Sequence, residues 1–373
     1  MLKKPNVLYL GFSAFSQFGG IEQVNKSWLY ALSGLQKKGK IAVKSLLMLD
    51  QYADKRYIDN PFFTGFSGNK LKFFVYAFKS ILQADHIVAS HIHLAPLLYL
   101  FLGSKRIYLQ VHGIEVWKEL NFFQKALLKK VHLIIAVSEY TKNSIVKFHQ
   151  VNPDKIKVLN NCLDPFFEAP KTFEKPQDLS LKYKLKPGQP VLFSLSRLAF
   201  SEQYKGYDKV IDALPDLKKT YPDIRYLIGG KGDSLEIERI QNKVIQLQVE
   251  GHVQLIGFIP EEVVQQHYLV SDAFVMPSLG EGFGIAFIEA AANGCQVLAG
   301  NQDGSVDAVC NGQLGILVNP NNQQEILQGL KQVLEKPIDK EKQSELALRN
   351  FSFEQYMKQI EGLLSGTDSI TKG

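Results

Sequence analysis

Short apolar runs alternate with segments of helical periodicity along the first half of the chain. The first run, residues 6–10, is followed by a loop over 11–20 and a helical stretch over 21–37. Apolar runs of strand length between helices predict a parallel sheet that is covered on both faces. The other predicted strands of this half are 41–49, 86–89, 106–110, 133–136 and 157–159.

The same alternation begins again after a proline-rich segment. Residues 165–190 hold five prolines, which is typical of a linker. The length of 373 residues agrees with about two domains. We therefore predict an α/β protein with two Rossmann-like, doubly wound domains in tandem, which would face each other across a cleft. The predicted strands of the second half are 191–196, 225–228, 253–256, 273–276, 296–298 and 315–318.

The domain boundaries follow from these patterns. A last helix is predicted near the end of the chain, with Ser352 as its N-cap, before a small polar tail. The predicted parts are an N-terminal domain over 1–170, a C-terminal domain over 186–350, a C-terminal helix over 351–365 and a tail over 366–373.

Charge is divided unequally between the two halves. Residues 1–185 hold 26 Lys/Arg and 13 Asp/Glu, a net charge of +13, whereas residues 186–373 hold 17 and 24, a net charge of −7. A basic half indicates contact with an anionic surface, for which membrane phospholipid and a pyrophosphate-bearing acceptor are two candidates. A solvated basic surface with no partner is the alternative.

Aromatic residues and lysines are interleaved over residues 62–82. A helix of this composition is typical of a membrane interface. The alternative is a helix that packs on its own sheet with its lysines outward.

Several classes of protein are disfavoured. No apolar run reaches the roughly 20 residues of a membrane-spanning helix. Cys162, Cys295 and Cys310 are too few and too widely spaced for a disulfide framework or a zinc site. The first ten residues lack a signal-peptide cleavage site, so we expect a cytoplasmic protein.

The most specific motif is the glycine-rich stretch 277–290. It follows the predicted strand 273–276 and leads into an apolar helix, with Glu281 in the loop and Glu289 in the helix. A helix N-terminus offers backbone N–H groups to a phosphate, and fixed carboxylates suit hydroxyl groups. A nucleotide sugar carries both.

Two motifs of the first domain also follow predicted strands. Gly19 and Gly20 end the first loop at a helix start, where a phosphate can approach the backbone, although an ordinary turn explains them equally well. His112 follows the strand 106–110, where ligands bind, and the adjacent Gly113 and Glu115 favour a functional role over the structural role that a lone histidine more often has. His91 and His93 occupy a similar strand end, where a structural role is the expectation.

Cations follow the first strand of the second domain. Arg197 ends that strand and Lys205 lies eight residues later, so the pair is a candidate clamp for a diphosphate. Surface charge alone is the alternative. The segments 229–233 and 257–260 are further turns after strands, and the second is a candidate for contacts to a base.

Taken together, these motifs resemble the family 4 retaining glycosyltransferases over about residues 6–360. The resemblance implies the GT-B fold, an acceptor-side N-terminal domain, a nucleotide-sugar-binding C-terminal domain and a C-terminal helix that packs back on the N-terminal domain. It rests on Gly19-Gly20, His112-Gly113-x-Glu115, Arg197 with Lys205, Gly229-Gly230-x-Gly232-Asp233 and Glu281-x7-Glu289.

The resemblance also implies a role for each motif. Arg197 and Lys205 would hold the donor diphosphate and stabilise it as it leaves, while Glu281 would contact the donor sugar and Glu289 the ribose. His112 would lie near the anomeric carbon. The other implied donor contacts are Gly19 and Gly20 to phosphate, Phe258 and Ile259 to the base, and the backbone of Phe283, Gly284 and Ile285 to sugar or phosphate.

Partners and cofactors follow from the same resemblance. It implies a nucleotide-sugar donor, a glycan or lipid-linked acceptor, no nucleic acid, no metal and no other cofactor, and the absence of an Asp-x-Asp motif agrees with a metal-independent enzyme. One departure is Cys162, where many relatives have glycine, which puts the local turn geometry in question.

Three other functions are alternatives to this one. A dinucleotide-dependent oxidoreductase is disfavoured, because the first loop lacks the G-x-G-x-x-G spacing. A phosphorylase would need a pyridoxal-binding lysine that no motif provides. The non-enzymatic alternative is a catalytically silent nucleotide-binding or assembly subunit, against which the presence of Arg197, Lys205, Glu281 and Glu289 argues.

Overall fold

A computed structural model describes residues 4–336 and 338–365 of the chain. The described residues form two compact units. The first holds the residues up to Phe167 and those from Phe351 onward, and the second is Glu168–Asn350; we call them the N-terminal and the C-terminal unit. The predicted tail over 366–373 lies outside the described residues.

The N-terminal unit is built on a sheet of seven parallel strands within the described residues. The order across the sheet is β3-β2-β1-β4-β5-β6-β7, with the first strand near the middle. The strands are β1 (Asn6–Gly11), β2 (Ala42–Leu47), β3 (Phe63–Gly65), β4 (His86–Ala89), β5 (Arg106–Val111), β6 (Leu133–Ala136) and β7 (Ile156–Val158). The helices that follow them are α1 (Gly20–Lys37), α2 (Lys70–Gln83), α3 (Ala95–Leu98), α4 (Phe122–Lys130) and α5 (Glu139–His149).

The C-terminal unit repeats this plan with six parallel strands in its described part, in the order β10-β9-β8-β11-β12-β13. Its strands are β8 (Val191–Leu195), β9 (Arg225–Gly229), β10 (Val253–Gly257), β11 (Ala273–Met276), β12 (Gln296–Gly300) and β13 (Ile316–Val318). Its helices are α6 (Gln177–Lys182), α7 (Tyr207–Thr220), α8 (Ser234–Gln246), α9 (Glu261–Val270), α10 (Ile285–Ala292), α11 (Ser305–Ala308), α12 (Gln323–Glu335) and α13 (Lys340–Phe351).

Strand order reverses once in each sheet. In the N-terminal unit β1 pairs with both β2 and β4, and in the C-terminal unit β8 pairs with both β9 and β11. The connections leave in opposite directions at such a point, so a crevice opens beyond the carboxyl ends of the two central strands. The loops after β1, β4, β8 and β11 are therefore placed for ligand contacts.

Burial of apolar side chains explains why these strands form the middle of each sheet. Leu8 and Leu10 of β1 and Ala273 and Val275 of β11 are almost fully buried, as expected for strands covered on both faces. The helices bury one face each; α1, for example, buries Trp28 and three leucines.

No helix in the described residues is long and apolar enough to cross a membrane.

The last helix, α14 (Phe353–Ser365), belongs to the N-terminal unit and packs against α1. The ring of Tyr356 meets the edge of Trp28 with 6.4 Å between ring centroids, and Phe353 lies 5.0 Å from Tyr30. The prediction that the C-terminal helix packs back on the N-terminal domain is confirmed.

The predicted strands are present, and one more occurs that the sequence pattern did not predict. The aromatic–basic segment 62–82 is not one helix: β3 occupies its beginning, and α2 begins only at Lys70. Ser67 and Gly68 have positive φ and separate the two, and the side chain of Asn69 caps the helix by accepting a hydrogen bond from the backbone of Lys72 at 3.0 Å. A three-residue strand is too short to show alternation.

Candidate active site

Two loops meet at the point where strand order reverses in the C-terminal unit. One follows β8 and contains Arg197 and Lys205, and the other follows β11 and contains Glu281. The backbone N–H of Leu279 donates to the carbonyl of Tyr204 at 2.8 Å. Gly206 has φ 79°, and a Cβ there would overlap the carbonyl oxygen of Pro277, so glycine is required for this close approach.

Lys205 and Glu281 form an ion pair at this junction. Their side chains are 15% and 13% exposed, so the pair is poorly screened by solvent. Burial alone would lower the pKa of Lys205, but the charge of Glu281 and its hydrogen bond, together with Tyr204 and Glu202, outweigh burial and the pKa is raised. Lys205 therefore stays cationic at neutral pH and is fixed at the crevice of the sheet.

Arg197 is more exposed and has a different partner. Its guanidinium pairs with Glu202 of the same loop, and its side chain is 70% exposed. Burial raises the pKa of Tyr204, and the charges of Lys205 and Arg197 both act against that rise. The ammonium of Lys205 lies 5.2 Å from the centroid of the Tyr204 ring. The structure thus holds each of the predicted cations with its own carboxylate.

Asp303 is a buried carboxylate that the sequence motifs did not indicate. It follows β12 and holds the loop of Glu281: one oxygen accepts from the hydroxyl of Ser278 at 2.7 Å and from the backbone N–H of Glu281 at 2.8 Å. Its other oxygen accepts from the backbone N–H of Ser305 at 2.9 Å, and the N–H of Gly304 donates to the carbonyl of Glu281 at 2.8 Å. Burial raises the pKa of Asp303 to about 6.

We expect Asp303→Asn to lower kcat by about tenfold to a hundredfold, because an amide nitrogen would face backbone N–H donors and displace Glu281. In the wild type, kcat should rise with pH as Asp303 ionises through its pKa of about 6. The pKa is higher in the folded chain than its ordinary value of 3.8, so the stability that this group adds is present at low pH and lost as the pH passes 6.

Activity and thermal unfolding measured from pH 5 to 8 check this prediction, with Asp178→Asn in the exposed part of α6 as the control. We expect the rise of kcat near pH 6 in the wild type and in Asp178→Asn, and we expect it to be absent from Asp303→Asn. An unchanged pH profile in that variant would show that Asp303 does not position Glu281.

Glu289 lies one turn inside α10 and is held by a tyrosine. The hydroxyl of Tyr268 donates to its carboxylate at 2.9 Å. The helix begins at Ile285, with Gly284 at the N-cap in a left-handed conformation and no side chain capping the helix. Phe283 is buried, so its ring belongs to the core and not to a ligand-facing surface. The predicted backbone contacts therefore surround one helix N-terminus.

The two residues predicted to contact the base follow β10 and differ in exposure. Phe258 is 54% exposed, whereas Ile259 is buried and packs over Gly229. Gly230 has φ 135°, and a Cβ there would overlap the carbonyl oxygen of Ser196, next to Arg197. Of the two predicted base contacts, Phe258 presents a ring surface at the loop, while Ile259 forms part of the packing beneath it.

In the N-terminal unit, a buried aspartate organises the loop that ends at Gly19 and Gly20. Asp50 follows β2 and accepts hydrogen bonds from the backbone N–H groups of Ala14 at 2.7 Å and Ser16 at 2.7 Å. Both glycines are exposed, and a Cβ on Gly20 would meet no atom within 4 Å. Gly20 begins α1, so the space in front of this helix is open.

His112 belongs to a group of histidines beyond β4 and β5. Its Nε2 lies 2.7 Å from the carbonyl of Ser90, which can only accept, so this nitrogen carries the proton and Nδ1 is the acceptor in the neutral ring. The ring of His91 stacks on it with 6.0 Å between centroids. Burial and the neighbouring His112 and His93 lower the pKa of His91 to about 3.

Among the described residues, no group of three or more potential ligands is placed to hold a metal ion.

The cysteine at position 162, where many relatives have glycine, does not disturb the local backbone. Cys162 is buried and does not have a positive φ, so glycine is not required at this position. The neighbouring Asp164 accepts hydrogen bonds from Gln23 and Tyr57, both at 2.6 Å. Burial raises the pKa of the Cys162 thiol to about 12, which makes it unreactive at neutral pH.

Comparison with known families finds two matches that together span both units. The family described as Glycosyl transferases group 1 matches residues 177–349, which hold the loops of Arg197, Lys205 and Glu281. The Glycosyltransferase Family 4 description matches residues 48–166 of the N-terminal unit.

Individual proteins agree with these families. A GDP-mannose-dependent alpha-(1-6)-phosphatidylinositol monomannoside mannosyltransferase of Mycolicibacterium smegmatis is 31% identical over 231 residues, 58% of each chain. An uncharacterized glycosyltransferase of Methanocaldococcus jannaschii is 26% identical over 54% of this chain and 50% of its own. The chain thus spans about half the length of the curated relatives that it matches.

Solved structures show the fold. Anabaena HepE in complex with UDP-glucose superposes with a TM-score of 0.76 at 17% identity, over 97% of this chain and 100% of its own. The predicted fold, two Rossmann-like domains of the GT-B type, is confirmed by this likeness and by the two parallel sheets.

Proposed function

We propose that this chain, which belongs to the family 4 glycosyltransferases, transfers a hexose from a UDP- or GDP-sugar to a glycan or lipid-linked acceptor. The observation that carries the proposal is the Lys205–Glu281 ion pair at the point where strand order reverses in the C-terminal unit. The relatives support it, since one is named for GDP-mannose and a structural neighbour was solved with UDP-glucose.

The C-terminal unit would bind the donor through the residues described above. Arg197 and Lys205 would exchange their carboxylate partners for the diphosphate, Arg197 bidentately and Lys205 as a point charge. Glu289, held by Tyr268, would accept hydrogen bonds from the ribose. Phe258 would stack on the base, with Ile259 beneath it, and the backbone of Phe283, Gly284 and Ile285 would contact the sugar or phosphate.

Catalysis would then depend on the position of the donor and on the charges around its leaving group. Departure of the nucleoside diphosphate leaves negative charge on its terminal phosphate, and fixed cations stabilise that charge without reorganisation. We propose that Lys205 and Arg197 do so without a metal ion or other cofactor, that Glu281 orients the sugar, and that the anomeric configuration is retained. The roles of Gly19, Gly20 and His112 stay predictions, because they concern the other unit.

The alternative is a catalytically silent nucleotide-binding or assembly subunit. A chain that had lost its activity would have no need to keep the cation, the two carboxylates and the buried Asp303 that holds one of their loops. The arrangement around Glu281 therefore favours an enzyme.

Turnover with UDP-, GDP- and ADP-sugars in the presence of EDTA tests the proposal. We expect one donor to release nucleoside diphosphate, and NMR of the first sugar released should show the anomer of the donor. Release that requires a divalent metal would contradict metal independence, and the opposite anomer would contradict retention. If no donor is turned over, the chain is not the proposed transferase.

We also propose a peripheral contact with an anionic membrane through the basic N-terminal unit. The residues of this unit, 1–167 and 351–373, hold 24 Lys/Arg and 13 Asp/Glu, a net charge of +11, which supports the contact because anionic lipid attracts basic surfaces.

A further inference from the structure

The outer face of α2 is unusually apolar for a surface helix. The inner face packs on the sheet through Phe73, Ala77 and Ile81. A helix at a protein surface normally carries polar residues on its other side. Here the exposed side carries six large apolar residues, namely Leu71 (77% exposed), Phe74 (40%), Val75 (45%), Tyr76 (46%), Phe78 (42%) and Leu82 (58%).

This apolar face continues onto neighbouring elements of the same unit. The ring of Phe78 lies 5.2 Å from Phe101, at the end of the turn Tyr99–Phe101. At the other end of that turn, Tyr99 lies 5.7 Å from Phe122 and 5.2 Å from Phe123, the first residues of α4. Leu100 between them is 70% exposed and Phe122 is 67% exposed. We call the outer face of α2, this turn and α4 the aromatic–basic surface.

The charged residues of the two helices in this surface are all basic. Neither α2 nor α4 contains an acidic residue. The nearest along the chain are Asp85, two residues after α2, which accepts from the backbone N–H of Asn6 at 2.8 Å, and Glu119, three residues before α4, which pairs with Lys125 at 3.3 Å. The six lysines of the two helices are all exposed, namely Lys70, Lys72, Lys79, Lys125, Lys129 and Lys130.

We infer that the aromatic–basic surface binds an anionic phospholipid bilayer, with α2 lying in the plane of the interface. This rests on the membrane contact proposed above and assigns it to particular residues. Exposed apolar side chains flanked by lysines fit the boundary between acyl chains and anionic headgroups. A protein partner fits less well, because the cores of protein interfaces are depleted in lysine. Since α2 has only 14 residues, it would lie on the bilayer and not cross it.

Binding of the full chain to vesicles tests the inference. We expect binding to phosphatidylcholine vesicles that contain phosphatidylglycerol, weak binding to phosphatidylcholine alone, and weaker binding as salt rises. The triple variant Lys72→Glu, Lys79→Glu, Lys129→Glu should bind at least about a hundredfold more weakly, since each lysine near an anionic surface contributes. The double variant Leu71→Gln, Leu100→Gln should also bind more weakly, even at low salt.

Matched variants elsewhere on the chain are the controls. Lys38→Glu, Lys55→Glu, Lys171→Glu changes charge by the same amount, and Leu181→Gln, Leu235→Gln removes two equally exposed leucines. The inference is overturned if the control triple variant loses as much affinity as the test variant, or if neutral vesicles bind equally well. Nucleoside diphosphate release in detergent-free buffer without lipid should be unchanged in all four variants, which separates this test from that of the transferase activity.

Discussion

Replacement of Glu281 by glutamine is expected to lower kcat by ~10²–10³ while the Kd for the nucleoside diphosphate stays within about threefold. The variant keeps the size of the side chain but removes the carboxylate that pairs with Lys205. In the proposed mechanism that carboxylate acts at the sugar end of the donor, so turnover should suffer and nucleotide binding should not. Initial rates at saturating donor and calorimetry with the nucleotide measure the two effects.

Glu289→Gln is the matched control for this prediction, because the same exchange is made one turn inside α10. We expect it to weaken nucleotide binding by about tenfold, since a hydrogen bond to a charged group contributes roughly 1.5–3 kcal/mol. Equal loss of turnover and of nucleotide affinity in Glu281→Gln would contradict the assignment of Glu281 to the sugar.

Lys205→Ala is expected to have the other large effect, a fall in kcat/KM of about a thousandfold. The variant removes a cation that is almost buried, whose pKa Glu281 and its neighbours raise, and that the proposal places on the leaving diphosphate. Lys209→Ala is the control, because the ammonium of Lys209 is in the same unit and donates to the carbonyl of Pro320 at 2.6 Å. That variant should keep nearly full activity.

The double variant Lys205→Ala, Glu281→Gln separates catalysis from local stability. Since the two residues form one ion pair, we expect their effects on kcat/KM to be far from additive. Thermal unfolding of all variants shows whether the folded chain is being measured. A Lys205→Ala enzyme that folds and turns over as fast as Lys209→Ala would contradict the role of Lys205.

Most of the fold could be predicted from the chain because the physics is local. Strands such as β6 and β11 are continuous apolar runs, and such runs between helices indicate a parallel sheet. The glycine loops therefore lie at the ends of strands. Arg197 follows β8 and Glu281 follows β11, and these two strands are neighbours in the sheet. The sequence pattern did not predict β3, because three residues are too few to show the alternation of a strand.

The buried carboxylates could not be predicted. Asp303 holds a backbone N–H 22 residues earlier in the chain, and Asp50 holds N–H groups 34 to 36 residues earlier. Neither belongs to a spaced motif, since each partner is a backbone group that any residue provides. The pairing of Arg197 with Glu202 and of Lys205 with Glu281 also depends on how the loops fold. Sequence motifs therefore located the candidate site but not the contacts that shape it.

Calorimetric titration of the full chain with UDP-, GDP- and ADP-sugars tests the central claim most directly, namely that the loops after β8 and β11 bind a nucleotide sugar. We predict that at least one of these donors binds, and that Lys205→Ala weakens its binding by about tenfold or more through loss of a charge-assisted contact. Absence of binding by every donor, or equal affinity in the wild type and in Lys205→Ala, would contradict the account.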